Sequence, residues 1–123
     1  MDTTFIDELA SAAPTPGGGG ASAYVGALAA AAASMVGNLT VGKKTYADVE
    51  DEVKASLARL SGLRGRLLHL VDEDAHAFEP LSATYRMPKN TPDELAARNE
   101  AMQAALVEAS DVPLAIMRTI ATV

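Results

Sequence analysis

Between Val49 and Tyr85 the apolar residues Val49, Val53, Leu57, Leu60, Leu63, Leu67, Val71, Phe78, Leu81 and Tyr85 recur at steps of three and four, with one gap after Val71. That period belongs to one face of an α-helix and to no strand. Gly62 and Gly65 weaken the pattern locally without shifting its phase. The reading is therefore a single long helix over about 47–85, with everything else in the chain packed around it. Nothing elsewhere alternates in the two-residue rhythm of a strand, and no repeat is evident. The fold class expected is all-α, a helical bundle with a long central helix.

The flanking segments supply shorter helices. Thr4 followed by Asp7 resembles a capping box opening a helix through about Ala12. Pro14-Thr15-Pro16-Gly17-Gly18-Gly19-Gly20 interrupts it, and a second helix is expected from about Ala21 to Leu39, ending near Gly42. Ser22, Gly26, Ala30 and Ser34 recur at spacing four along it, which lets another helix approach closely. Thr45 and Asp48 look like the cap of the long helix, and Met87–Asn90 like the loop after it. Thr91-Pro92-Asp93-Glu94 combines an N-cap, a first-turn Pro and an acid three residues on. The helix so opened is expected to turn Leu95, Met102 and Leu106 inward and to end or kink at Asp111-Val112-Pro113. A last apolar helix begins at Leu114.

At 123 residues the chain fits one domain, 1–123, with enough length to bury a core. Charge separates the functional classes further. The net charge is −6, which argues against a nucleic-acid partner or an anionic membrane surface. No cysteine is present, so disulfides, thiol catalysis and thiolate metal sites are excluded. No charged residue occurs between Glu8 and Lys43. Ala and Gly dominate that run and Leu, Ile and Phe are scarce, so it reads better as a buried core helix than as a membrane span. The N-terminus carries Asp2, Asp7 and Glu8 and no basic residue, unlike a secretory leader, which makes cytoplasm the default compartment.

Asp74 fills the one gap in the long stripe. On a helical wheel it lies about 20° from the line through Leu67 and Tyr85, at the centre of the apolar face. A carboxylate facing a core is paired, hydrogen-bonded or functional. Capping another helix or pairing an arginine is one reading; a general acid/base tuned by its surroundings is the other. His69 and His76 fall at the back of the stripe and are too far apart for a helical zinc motif, so no metal site is supported. The glycine run is either a flexible connector or a helix N-terminus whose bare N–H groups accept a carboxylate or polar ring. It is not a P-loop, because no Gly-Lys-Ser/Thr follows. Lys43 and Lys44 would by themselves be explained by the helix dipole, and Lys89 by solvation.

Taken together, these strings resemble the formiminotransferase-cyclodeaminase/cyclohydrolase family. The resemblance rests on Pro14 to Gly19 before an Ala-rich helix, on Leu39-Thr40-Val41-Gly42-Lys43-Lys44-Thr45-Tyr46 and on Asp72 to Phe78. Pro88-Lys89, Glu94 with Arg98, and Ala109 to Pro113 follow in the expected order. It implies an all-helical homodimeric domain acting on one-carbon tetrahydrofolates, with the folate as substrate and no cofactor or metal. Asp74 would be the catalytic acid/base and Lys43 its electrostatic partner. Pro16, Gly17, Gly18, Gly19, Lys44, Tyr46 and Lys89 would contact the substrate, Lys44 or Lys89 through its glutamate carboxylates. Gly20 stands where the family pattern leads one to expect Ser. Family domains also continue beyond Pro113 through further helices, so the chain reads as C-terminally incomplete, with an inactive helical dimerisation module as the alternative.

Overall fold

The computed structural model describes residues 1–123 as five α-helices and one 3-10 segment, with no strand. The helices are α1 (Thr4–Leu9), α2 (Gly18–Thr40), α3 (Glu50–Tyr85), α4 (Pro92–Ala109) and α5 (Asp111–Ile120); Lys44–Val49 form the 3-10 turn. The all-α expectation and the single long central helix both hold. Pro80 sits inside α3 and the helix runs through it.

Two of the expected caps form differently. α1 starts at Thr4 itself, without a capping box. Asp2 accepts the Thr4 amide (3.0 Å) and hydroxyl (2.6 Å) instead, and those bonds hold its carboxyl below the usual carboxylate range. Thr45 and Asp48 cap nothing, because the chain leaves α2 through Gly42 at φ 83° and makes a 3-10 turn before α3 begins. At α4 the reading is met. Thr91 Oγ1 accepts the Glu94 amide at 3.2 Å, Pro92 occupies the first turn, and Glu94 reaches back to the Asn90 amide at 2.9 Å.

The core is the seam between α2 and α3, closed at one side by α5. Ala23, Ala27, Leu67, Leu70 and Ile116 form its buried cluster. The small residues of α2 are what make the seam tight. A Cβ on Gly26 would come within 2.9 Å of Ile120 and 3.2 Å of Leu67, and one on Gly37 within 2.8 Å of Leu57. Ala30 and Ser34 are buried in the same line, while Ser22 is exposed.

α4 is rotated relative to the sequence expectation. Its buried residue is Ala105, and Leu95 and Leu106 stand 44% and 42% exposed. The small side chain lies closest to the core and the leucines flank it. By length and composition α2 could cross a bilayer; here one face of it is spent on α3.

Candidate functional site

α2 runs antiparallel to α3, so its N-terminal glycines arrive opposite the middle of α3, where Asp74 interrupts the apolar stripe. There the Gly20 amide donates to Asp74 Oδ2 at 2.9 Å. Gly20 is in the first turn of α2, whose amides have no partner within the helix, and no side chain of α2 caps that end. Asp74 supplies the cap from another helix. Its charge also sits at the positive end of the α2 dipole, where a carboxylate is favoured.

Glycine is required at one position for this approach. A Cβ built on Gly19 would meet the Asp74 carboxylate, with Cγ at 2.7 Å. At Gly20 the same atom would lie at ordinary contact distance, 3.6 Å from Pro16 and 3.8 Å from Asp74 Oδ2. The carboxylate is half-buried, and Oδ1 makes no hydrogen bond within the chain.

Asp74 lines a cleft of about 390 Å³. One wall is the segment Pro14, Thr15 and Gly17–Gly19. Asp74, Phe78 and Leu81 of α3 form the floor, and Leu106, Ala109, Ser110 and Pro113 close the other side at the α4–α5 junction. The lining is mostly apolar with one free carboxylate oxygen and the exposed backbone of a glycine turn. Such a surface suits a flat, partly polar ring whose reacting atom comes up to the carboxylate.

The site residues expected from the sequence fall into two groups. Asp74 and Gly17–Gly19 line this cleft, while Pro16 borders a smaller neighbouring one with Phe5 and Val71. Lys43, Lys44 and Tyr46 lie just beyond the other end of α2, which at 23 residues is about 35 Å long. Within one chain Lys43 therefore stands far from Asp74 and cannot tune it. Lys89 is in the exposed loop after α3, three turns beyond Asp74. The wall at Leu106, Ser110 and Pro113 was not singled out as a binding surface. The signal for it was Asp111-Val112-Pro113, read as the end of α4; the break falls one residue earlier, at Ser110, and Pro113 lies in the first turn of α5.

The two histidines sit on the outer side of α3. His69 Nε2 is 2.9 Å from Glu73 Oε1, which also takes Arg66 at 3.0 Å, and His76 Nδ1 contacts the Asp72 carbonyl at 2.8 Å. Arg98 Nε, on α4, is buried without a hydrogen-bond partner.

Residues 2–123 match the protein family described as Formiminotransferase-cyclodeaminase. A methenyltetrahydrofolate cyclohydrolase of Methylorubrum extorquens is 52% identical over 115 residues, covering 94% of this chain and 55% of that protein. The rat formimidoyltransferase-cyclodeaminase is 36% identical over 116 residues, covering 94% of this chain and 21% of that protein. In three dimensions the crystal structure of formiminotetrahydrofolate cyclodeaminase from Thermotoga maritima superposes with a TM-score of 0.78 at 36% identity. That match covers 97% of this chain and 56% of the other. The chain thus spans about half the length of the cyclohydrolase and of the cyclodeaminase structure.

Proposed function

This chain belongs to the formiminotransferase-cyclodeaminase family, and from that premise we propose that it processes one-carbon tetrahydrofolates. The reaction is either hydrolysis of 5,10-methenyltetrahydrofolate to the 10-formyl form or deamination of 5-formiminotetrahydrofolate to the 5,10-methenyl form. The observation that carries this reading is the Asp74 carboxylate, which lines the cleft with one oxygen held by the Gly20 amide and the other free of any hydrogen bond within the chain.

Both reactions pass through a tetrahedral carbon between N5 and N10. In hydrolysis a water adds to that carbon, the Asp74 carboxylate takes one proton of the water and passes it to N5 as the N5–carbon bond breaks, and the remaining hydroxyl proton leaves to solvent as the formyl C=O forms. In deamination N10 adds to the formimino carbon, and Asp74 relays the N10 proton to the leaving nitrogen, which departs as ammonia. A single acid/base residue serves either course. The bond from Gly20 fixes the carboxylate's orientation, while Phe78 and Leu81 keep the pterin face dry. The enzyme is read as a cytoplasmic homodimer with no membrane or nucleic-acid partner, using no cofactor or metal beyond the folate itself.

A second reading treats Asp74 as a structural cap in a helical module without turnover, because its bond to Gly20 already accounts for one oxygen. The experiment that decides is the near-ultraviolet absorbance of 5,10-methenyltetrahydrofolate with protein, with Asp74→Asn and with buffer. Loss of absorbance that is faster than buffer and absent in the variant supports the hydrolase. Appearance of that absorbance from 5-formiminotetrahydrofolate supports the deaminase. With neither change, and no protection against thermal unfolding by folinic acid, the module reading stands.

A further inference from the structure

The cleft beside Asp74 has no basic residue in its lining. A tetrahydrofolate ends in a glutamate whose carboxylates are charged at neutral pH, so this cleft alone leaves that end of the molecule unmatched. The chain carries a net charge of −6, which makes its surroundings no help to an anion.

A niche of about 170 Å³ adjoins the cleft and shares three wall residues with it, Pro14, Thr15 and Phe78. The rest of its lining includes His76, Glu79 and Ser82, from the last three turns of α3, and Arg86, the residue that caps that helix. His76 and Arg86 are ten residues apart, about 15 Å along the axis. They line one niche because Arg86 is long and helical side chains lean toward the N-terminus. The dipole at the end of α3 favours a cation there, yet the guanidinium makes no ion pair within the chain. Glu79 makes none either, with Arg86 or with any other base. Two opposite charges held apart across a small niche suit a ligand that brings both an anion and an N–H. His76 Nδ1 is engaged by the Asp72 carbonyl, which accepts only, so its other ring nitrogen stays available.

We propose that this niche is the subsite for the glutamate end of the folate. Arg86 holds the α-carboxylate, Glu79 accepts the N–H of the benzoyl–glutamate amide, and the benzoyl ring crosses the shared wall at Phe78. The direction of the substrate follows. N5 and N10 lie at Asp74, the tail runs along α3 toward its C-terminal end, and the pterin takes the side of the glycine turn and the α4–α5 junction. Lys89, three residues beyond Arg86, lines neither cavity. The direction rests on the folate reading above, while the niche and its unpaired charges do not.

The subsite can be tested without turnover. The chain has two histidines and His76 alone lines the niche, so its ring signal in NMR is a local probe. Addition of p-aminobenzoyl-L-glutamate should shift the His76 signal and leave His69 in place. p-Aminobenzoate, which lacks the glutamate, should not shift it at the same concentration. Arg86→Ala should weaken the glutamate-dependent shift about tenfold in concentration, and Arg86→Lys should recover part of it. No shift of His76, or a shift untouched by Arg86→Ala, would overturn the subsite. An equal shift from free L-glutamate would mark an amino-acid site and overturn the folate tail as its occupant.

Kinetics test the direction of binding. On 5,10-methenyltetrahydrofolate Arg86→Ala should raise KM about tenfold with kcat unchanged. On 5,10-methenyltetrahydropteroate, which has no glutamate, the same variant should match wild type. Equal losses on both substrates would show a structural role for Arg86 and overturn the proposal. A wild type inactive in both folate reactions would count against the folate reading and the direction derived from it; the His76 shift then decides the subsite by itself.

Discussion

One oxygen of Asp74 accepts the Gly20 amide and so serves the fold, while the carboxylate also lines the cleft, and substitutions can separate the two roles. Asp74→Asn keeps an oxygen for the Gly20 amide and loses the proton-accepting charge. Turnover should fall about 100-fold or more, with a melting temperature within a few degrees of wild type. Asp74→Ala also loses the cap and should cost about 1 kcal/mol of stability; equal melting temperatures for the two would show that the Gly20 bond holds nothing. Gly19→Ala should push the carboxylate aside and depress turnover, since the side chain rather than the backbone gives way. Gly20→Ser has room and should keep activity; reversed effects at the two glycines would contradict the geometry. The helical wheel was enough to place Asp74 on the inner face of its helix. It could not reveal what stands opposite, because the phase of one helix carries no information about the register of its neighbour. The same gap left Lys43 beside Asp74 in expectation and a full helix length away in the chain.

Helix α3 carries two glycines, Gly62 and Gly65, with nothing near the place of a side chain. Each should gain about 1 kcal/mol on replacement by Ala, a rise in melting temperature measurable for each variant by calorimetry. Leu67→Ala, fully buried where α2, α3 and α5 meet, should cost about 2–5 kcal/mol. No loss there, or no gain at the glycines, would mean the packing differs from that described. Element boundaries were legible where the chain itself dictates them. Thr91-Pro92 opened α4 as read, and the stripe from Val53 to Leu81 kept one phase through Pro80. Caps at Thr4 and Thr45 were misread because the same Thr-x-x-Asp string serves a turn equally well when Asp2 or Gly42 has already fixed the backbone. Leu95 and Leu106 misled because the helical period does not say which of several neighbouring apolar positions turns in; on α4 it is Ala105, with the leucines beside it.

Only 12 of the 123 residues are buried, few for a chain of this length, and much of the uncovered apolar surface lies on α2. Stability should therefore grow with concentration, the melting temperature rising several degrees across a hundredfold dilution series; a flat series would show that the isolated chain suffices. That sparse burial was not legible from composition, which is that of an ordinary globular domain and does not say which apolar face is covered within the chain. One closure remains, that of α5 over the α2–α3 pair, where Ile120 meets Gly26 from 94 positions further along the sequence. It hangs on the Ser110 junction, and Ser110 and Pro113 also line the cleft. A short helix fastened by so few buried side chains belongs to the part of a protein that opens ahead of global unfolding. Its swinging away would uncover Leu67 and take Pro113 out of the cleft wall. Amide hydrogens of α5 should then exchange with solvent faster than those of α3, and a bound folate should slow them more than any others in the chain.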